Sequence, residues 1–329
     1  MPGAYCRRKK ELVMKQTFLP WSGRVDSQET GISTRWHQHV QPFSEQSHGG
    51  CTLIGFAVDD GVQRNGGRAG AAGGPGALRS MLGNMPVLCE GAIFDMGDVQ
   101  SEDHALESAQ NRLAANVSTA IARGSLPVVL GGGHEVAWGT FQGIMQSRPD
   151  IQRLLIVNLD AHFDLRMAEQ ANSGTPFRQM QEWNAQYGKP FHYRVLGISR
   201  FANTQALFDR ADCLGVRYWL DESLQFERGL HEIANALSAD IQACDAIYLT
   251  ICLDVLPGYQ APGVSAPSPL GVPLNITEAI VNLIAGSEKL IAADIAELNP
   301  DLDRDNLTAK VAARLAATIV RRGKTDRTN

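Results

Sequence analysis

The sequence predicts an α/β protein with a mainly parallel sheet wound by helices on both faces, and three observations predict it. Short apolar runs alternate with stretches of helical period along the chain, the pattern of successive β-α units. The apolar runs at 126–130, 154–157, 246–251 and 289–293 each lead, directly or across a short turn, into Asp, Glu, His or Cys. Parallel strands deliver polar residues in this way to the carboxyl edge of a sheet. No internal repeat, low-complexity linker or composition break divides the chain. It is therefore read as an irregular arm over 1–47 and one domain over 48–329.

The elements follow in order. Residues up to about 47 are polar, with Trp21, Trp36, His37 and His39 scattered among them. Residues 51–58 (CTLIGFAV) read as a strand that enters the glycine-rich loop DDGVQRNGGRAGA at 59–71, after which Pro75 opens a helix. Nothing here matches the G-x-x-x-x-G-K-[ST] loop that cradles nucleotide phosphates. Over 101–123, Ala105, Leu106, Ala109, Leu113, Val117 and Ile121 repeat near 3.6 residues and predict a helix. Further helices are expected at about 135–147, 228–243, 277–286 and 306–322, and a further strand over 193–198.

Composition narrows the function classes. The 329 residues are 44% hydrophobic and 20% charged, with a formal net charge of −5 and no dense basic stripe. Nucleic-acid binding by phosphate neutralisation is not expected. No run of about 18 apolar residues is present, so no membrane helix is expected. Basic residues at 7–10 are not followed by the apolar stretch of a secretory signal, and Met14 reads as an alternative start. Six cysteines lack C-x-x-C spacing, which reads as a reduced, cytoplasmic protein.

Metal chemistry is the strongest functional signal. Asp160, His162 and Asp164 alternate directly after an apolar run, and alternate residues of an extended segment point the same way. Gly131-Gly132-Gly133 bring His134 to the same sheet edge, where Cys252, Asp254, Asp294 and Glu297 also arrive. A carboxylate beside a histidine can also be a plain hydrogen-bonded pair. Four strand ends of this kind favour a metal site. His37, His39, His48, His104, His192 and His231 lack ligand spacing.

Together GGGHE (131–135), DAHFD (160–164), TICLD (250–254) and DIAELNP (294–300) resemble the motifs of the ureohydrolase superfamily of arginases and agmatinases. Within it, SGTPFRQ (173–179), ICLDVLP (251–257), APGVSAP (261–267) and the 59–71 loop are similar to the formimidoylglutamases. The resemblance covers roughly residues 50–322. It implies a three-layer α/β/α sandwich around a mainly parallel eight-stranded sheet, a homo-oligomer, and a pair of Mn²⁺ ions. The matching ligand positions are His134, Asp160, His162, Asp164, Cys252 and Asp254, with cysteine where the family has aspartate. Three readings of Cys252 stand open: a ligand that weakens or reshapes one metal position, a buried bystander, or the mark of a metal-free relative. A thiolate suits Zn or Fe better than Mn²⁺. The first reading extends to a redox-controlled disulfide with Cys51, given a compatible Cα separation.

The implied reaction is Mn-dependent hydrolysis of N-formimidoyl-L-glutamate, a linear amidine of histidine degradation, to L-glutamate and formamide. Glu297 matches the position that binds the amidinium, and Asp164 is expected to pass a proton to the leaving amine. Residues 173–178 hold no histidine, which argues against an arginase. The two carboxylates of this small-molecule substrate need cationic or amide donors, for which Arg64, Asn65, Arg68, Arg178 and Arg200 are the candidates, with Ser199 beside the last. The competing readings are an agmatinase or guanidino-acid hydrolase, a silent metal-binding relative, and a zinc deacylase on a related fold.

Overall fold

The computed structural model describes residues 21–322; the basic residues 7–10 and Met14 lie outside the described residues. Among the described residues nine strands form one sheet: β1 (Gln41–Pro42), β2 (Cys51–Ala57), β3 (Ile93–Gln100), β4 (Leu126–Leu130), β5 (Leu154–Leu159), β6 (His192–Ile198), β7 (Arg217–Leu220), β8 (Ala246–Cys252) and β9 (Leu290–Ala296). Their spatial order is β1-β3-β2-β4-β9-β8-β5-β6-β7, and every pairing between them is parallel. The expected eight strands become nine because two residues of the arm, Gln41 and Pro42, pair with Phe94 and Asp95 at the sheet edge. Proline is tolerated there because an edge strand has no inner ladder to donate to.

The central strands β4, β9, β8 and β5 are buried along their whole length, as continuous apolar runs in a parallel sheet should be. Among the described residues ten α-helices accompany the sheet: α1 (Trp36–His39), α2 (Asp60–Arg64), α3 (Gly74–Gly83), α4 (Leu106–Ala122), α5 (Val136–Ser147), α6 (Pro176–Gln186), α7 (Gln205–Cys213), α8 (Glu227–Ala243), α9 (Leu274–Ala285) and α10 (Leu307–Arg322). Alternate strand residues sort into two cores. Val128, Leu155, Val157 and Leu249 pack with the buried side chains of α3, α8, α9 and α10, whereas Val129, Ile156 and Tyr248 pack with those of α4, α5, α6 and α7. The three-layer α/β/α architecture follows directly from this division.

The expected helices at 135–147, 228–243, 277–286 and 306–322 appear within a few residues as α5, α8, α9 and α10. The one expected over 101–123 begins only at Leu106, because Asp103 and His104 have positive φ (50° and 56°). Strand β3 escaped the sequence reading because acids interrupt its apolar run. Arg79 on α3 explains them: its guanidinium donates to both Asp95 oxygens at 2.8 and 2.9 Å and to Asp98 at 2.5 Å.

Asp95 also accepts from Trp21 Nε1 at 2.8 Å, and Trp21 stacks on the buried Trp36. Regular structure and a buried charge thus tie residues 21–47 to the sheet. Removing one partner of a buried pair strands the other charge, at a cost of about 3–5 kcal/mol. Arg79→Ala should lower the urea midpoint by a corresponding amount, and Arg148→Ala, which breaks an exposed pair with Asp150, should leave it nearly unchanged. Equal effects of the two would contradict this account.

Candidate metal centre

Four adjacent strands, β4, β9, β8 and β5, open onto one point beyond their carboxyl ends. After β4 the chain turns back at Gly132, where a Cβ would lie 1.8 Å from the Val58 carbonyl oxygen. Only glycine fits this approach. The turn presents His134, whose backbone N–H donates to Glu297 Oε1 at 2.9 Å, while the Glu297 N–H donates to the Gly132 carbonyl at 2.8 Å. The loops after β4 and β9 are therefore tied in both directions.

Asp160 stands at the centre of the site. It follows β5, is fully buried, and accepts from Asn158 Nδ2 at 3.0 Å and from the His162 N–H at 2.8 Å. One of its oxygens lies 3.0 Å from His134 Nδ1 and the other 3.5 Å from His162 Nδ1. Asp254 approaches His162 Nδ1 to 3.1 Å, and Asp164 approaches His134 Nδ1 to 2.9 Å. The donor atoms form two compact triads, His134–Asp160–Cys252 and Asp160–His162–Asp254, each within 4.8 Å internally. Asp160 is common to both.

The arrangement fits a pair of cations. His134 Nδ1 is buried without an aligned hydrogen bond, although two carboxylates lie within 3.0 Å. A cation beside this nitrogen would satisfy it together with both carboxylates. Burial works against a charged His162, but the fields and hydrogen bonds of Asp254 and Asp160 overcome it and raise its pKa well above the usual range. Burial and the Asp160 charge raise Asp164. Burial, then the charges of Glu135 and Asp254, raise Glu297 to about 8. Asp164 and Glu297 also hold φ of 47° and 72°, a left-handed backbone that non-glycine residues adopt at a cost of about 1–3 kcal/mol.

Cys252 is buried, and burial followed by Asp160, Asp254 and Glu297 holds its thiol pKa well above normal. Only a cation in the triad would favour the thiolate. The expected disulfide with Cys51 does not form. Cys51 begins β2 and Cys252 ends β8, with β4 and β9 between them. Three strand spacings give about 14 Å before the offset along the strands, whereas a disulfide needs Cα atoms within about 7 Å.

A cavity of about 430 Å³ opens above the triads, lined by His134, His162, Asp164, Cys252, Asp254 and Glu297 on its floor. Of the expected substrate-binding residues, Asn65 and Arg68 line it. Arg64, Arg178 and Arg200 are not among its lining residues. The guanidinium of Arg64 is held by Glu107 at 2.7 Å and by the Ala171 carbonyl, and that of Arg178 by Glu182 and the Arg166 carbonyl. Arg200 is exposed beside Glu222, and Ser199, also absent from the lining, donates its N–H to the Ala161 carbonyl and accepts at its carbonyl from Asn203 Nδ2. The sequence reading missed Arg166, Ser173 and Ser265, which do line the cavity. Arg166 continues the two-residue alternation of Asp160, His162 and Asp164, a signal that was available.

The model of the arginase family matches residues 50–321. The chain belongs to the arginase family. The formimidoylglutamase of Cupriavidus pinatubonensis is 51% identical over 310 residues, covering 92% of this chain and 98% of that protein. That of Hahella chejuensis is 50% identical, covering 94% and 96%. Among solved structures, Trypanosoma cruzi formiminoglutamase with Mn²⁺ superposes with a TM-score of 0.76 at 25% identity, over 87% of this chain and 97% of that one. Bacillus subtilis formimidoylglutamase, at 22% identity, gives 0.79 over 88% and 91%, a likeness of fold.

Behind the floor, burial raises the Glu135 pKa from 4.5 to about 7, helped by Asp59 and Asp60 against the Gly61 N–H that it accepts. A folded-state pKa raised above the unfolded one means that the unfolded chain loses its proton first as pH rises. Metal-free protein should therefore lose about 1.4 kcal/mol of stability per pH unit through this group between roughly pH 4.5 and 7. Urea unfolding at pH 5 and pH 7 should show Glu135→Gln gaining on the native chain by that slope. A difference independent of pH would contradict the buried, protonated acid.

Proposed function

We propose that this chain is a Mn²⁺-dependent hydrolase that converts N-formimidoyl-L-glutamate and water into L-glutamate and formamide. The observation that carries the reading is the pair of triads sharing Asp160, set beside Glu297 at the floor of a cavity that also presents Arg68 and Arg166. Relatives about 50% identical over nearly their whole length carry the name formimidoylglutamase.

His134, Asp160 and Cys252 would hold one ion, with Asp164 beside it, and Asp160, His162 and Asp254 the other. Carboxylate and imidazole suit Mn²⁺, and one thiolate position softens the first site. When bound, the ions supply hydroxide at neutral pH by lowering the pKa of water. The chain's own residues do the remaining work. Glu297, ionised, accepts paired hydrogen bonds from the planar formimino cation and aligns its carbon over the floor. Arg166, and Arg68 beyond its bonds to the Ser265 and Val264 carbonyls, with Asn65 and Ser173, receive the two carboxylates. Hydroxide adds to the formimino carbon. The tetrahedral centre then collapses, breaking the bond to the glutamate nitrogen and releasing formamide, while Asp164 delivers the proton that lets the amine leave.

Among the described residues every strand from Cys51 onward lies in one sheet, which supports one catalytic domain over 48–329, with the arm adding β1 at its edge. Among the described residues no helix is long and apolar enough to cross a membrane. We take the enzyme to act in the cytoplasm as a homo-oligomer.

The test is turnover by reduced, chelated protein after Mn²⁺ is added back, with formamide and ammonia assayed separately and agmatine and arginine as controls. Formamide should appear only with Mn²⁺ and only from the dianionic substrate. Arg166→Met should raise KM at least tenfold, about the 1.4 kcal/mol of one charge-assisted contact. Bound Mn²⁺ without turnover of any amidine would favour a silent relative, and ammonia in place of formamide would reverse the assignment of the leaving group.

A further inference from the structure

We propose that Asn299 is a positioning residue that sets the anion-binding rim of the cavity relative to its amidine-binding floor. The inference rests on the substrate reading above and names the side chain that aligns the two ends. Residues 66–69 (GGRA) are all exposed, so hydrogen bonds rather than apolar packing must hold this loop. Asn299 is fully buried beneath it. Its amide nitrogen donates to the Ala69 carbonyl at 2.8 Å and the Arg68 carbonyl at 3.3 Å, and its amide oxygen accepts from the Asp301 N–H at 3.1 Å.

The contact depends on Gly70. Its φ is +125°, and a Cβ there would lie 2.4 Å from Asn299 Oδ1. From the other side the Gly70 N–H donates to Asp59 at 2.6 Å. The loop so fixed presents Arg68 with little freedom: its N–H donates to Ser265 Oγ at 2.8 Å, Nε to the Ser265 carbonyl at 2.9 Å and Nη2 to the Val264 carbonyl at 2.8 Å. Asn299 is itself anchored by its N–H to the Gly263 carbonyl at 2.8 Å. It stands two residues after Glu297, on the same segment. One short stretch of chain therefore carries the amidine-binding carboxylate and the side chain that places Arg68.

Aspartate at 299 could not substitute, because both contacts of the amide nitrogen are to carbonyl oxygens, which a carboxylate repels. Asn299→Asp should raise KM for N-formimidoyl-L-glutamate about tenfold, with kcat within about twofold and Mn²⁺ affinity by calorimetry unchanged. Asn299→Ser, which keeps one donor, should fall between. In a double-mutant cycle Asn299→Asp should add almost nothing to Arg68→Met. Hydrogen exchange should quicken in 66–70 alone. This last readout needs no turnover, so it judges the positioning role even if the native enzyme fails on this substrate, a failure that would sink the substrate reading separately. Additive effects in the cycle, lost Mn²⁺ affinity, or exchange spread over the core would overturn the proposal.

Discussion

Buried negative charge at the carboxyl edge of the sheet is the constraint on which the rest of the structure turns. Asp160, Asp164, Asp254, Glu135 and Glu297 are all buried within a few residues of the ends of β4, β5, β8 and β9. Ionised carboxylates taken from water cost several kcal/mol each unless they are paired, and the two histidines present, His134 and His162, are too few partners. The metal-free chain meets this by raising the pKa of Asp164, Glu135 and Glu297. Cations would meet it while keeping the acids ionised, and ligand sites of this kind couple metal binding to folding.

Holding such a site takes a stiff frame. The four strands that deliver the donors are neighbours in the middle of the sheet, covered on both faces by helices. Their register is fixed by fully buried side chains that a one-residue slip would turn to the wrong layer. Against this frame the left-handed backbone at Asp164 and Glu297 can be maintained, as strained residues at functional sites generally are. Asn203 does related work nearby: its amide nitrogen donates to the Ala161 and Ser199 carbonyls and its amide oxygen accepts from the Phe163 N–H, which pins the segment carrying His162.

The fold and the floor of the site were legible because both are written locally. Apolar runs mark the buried strands, and the polar residues after each run are carried to one edge by parallel winding. What lay beyond local reading depends on distant partners. Strand β3 was hidden by Asp95 and Asp98, whose partner Arg79 is on α3. Arg64 looks free in the sequence but is captured by Glu107, 43 positions away. Arg166 was overlooked although it keeps step with Asp160, His162 and Asp164. The two-residue strand β1 owes its existence to the edge it joins. The supposed partnership of Cys51 and Cys252 failed because sequence gives no strand order, and these residues sit at opposite ends of separated strands.

The central claim is that Asp160 is shared between two cation positions, one of them completed by Cys252. Anomalous diffraction at the manganese edge from crystals of the reduced protein grown with Mn²⁺ tests it most directly. The account predicts two peaks, one on each side of the Asp160 carboxylate, with Cys252 Sγ in contact with the peak nearer His134. A single peak, or two peaks with Cys252 turned away and Asp160 touching only one, would contradict it.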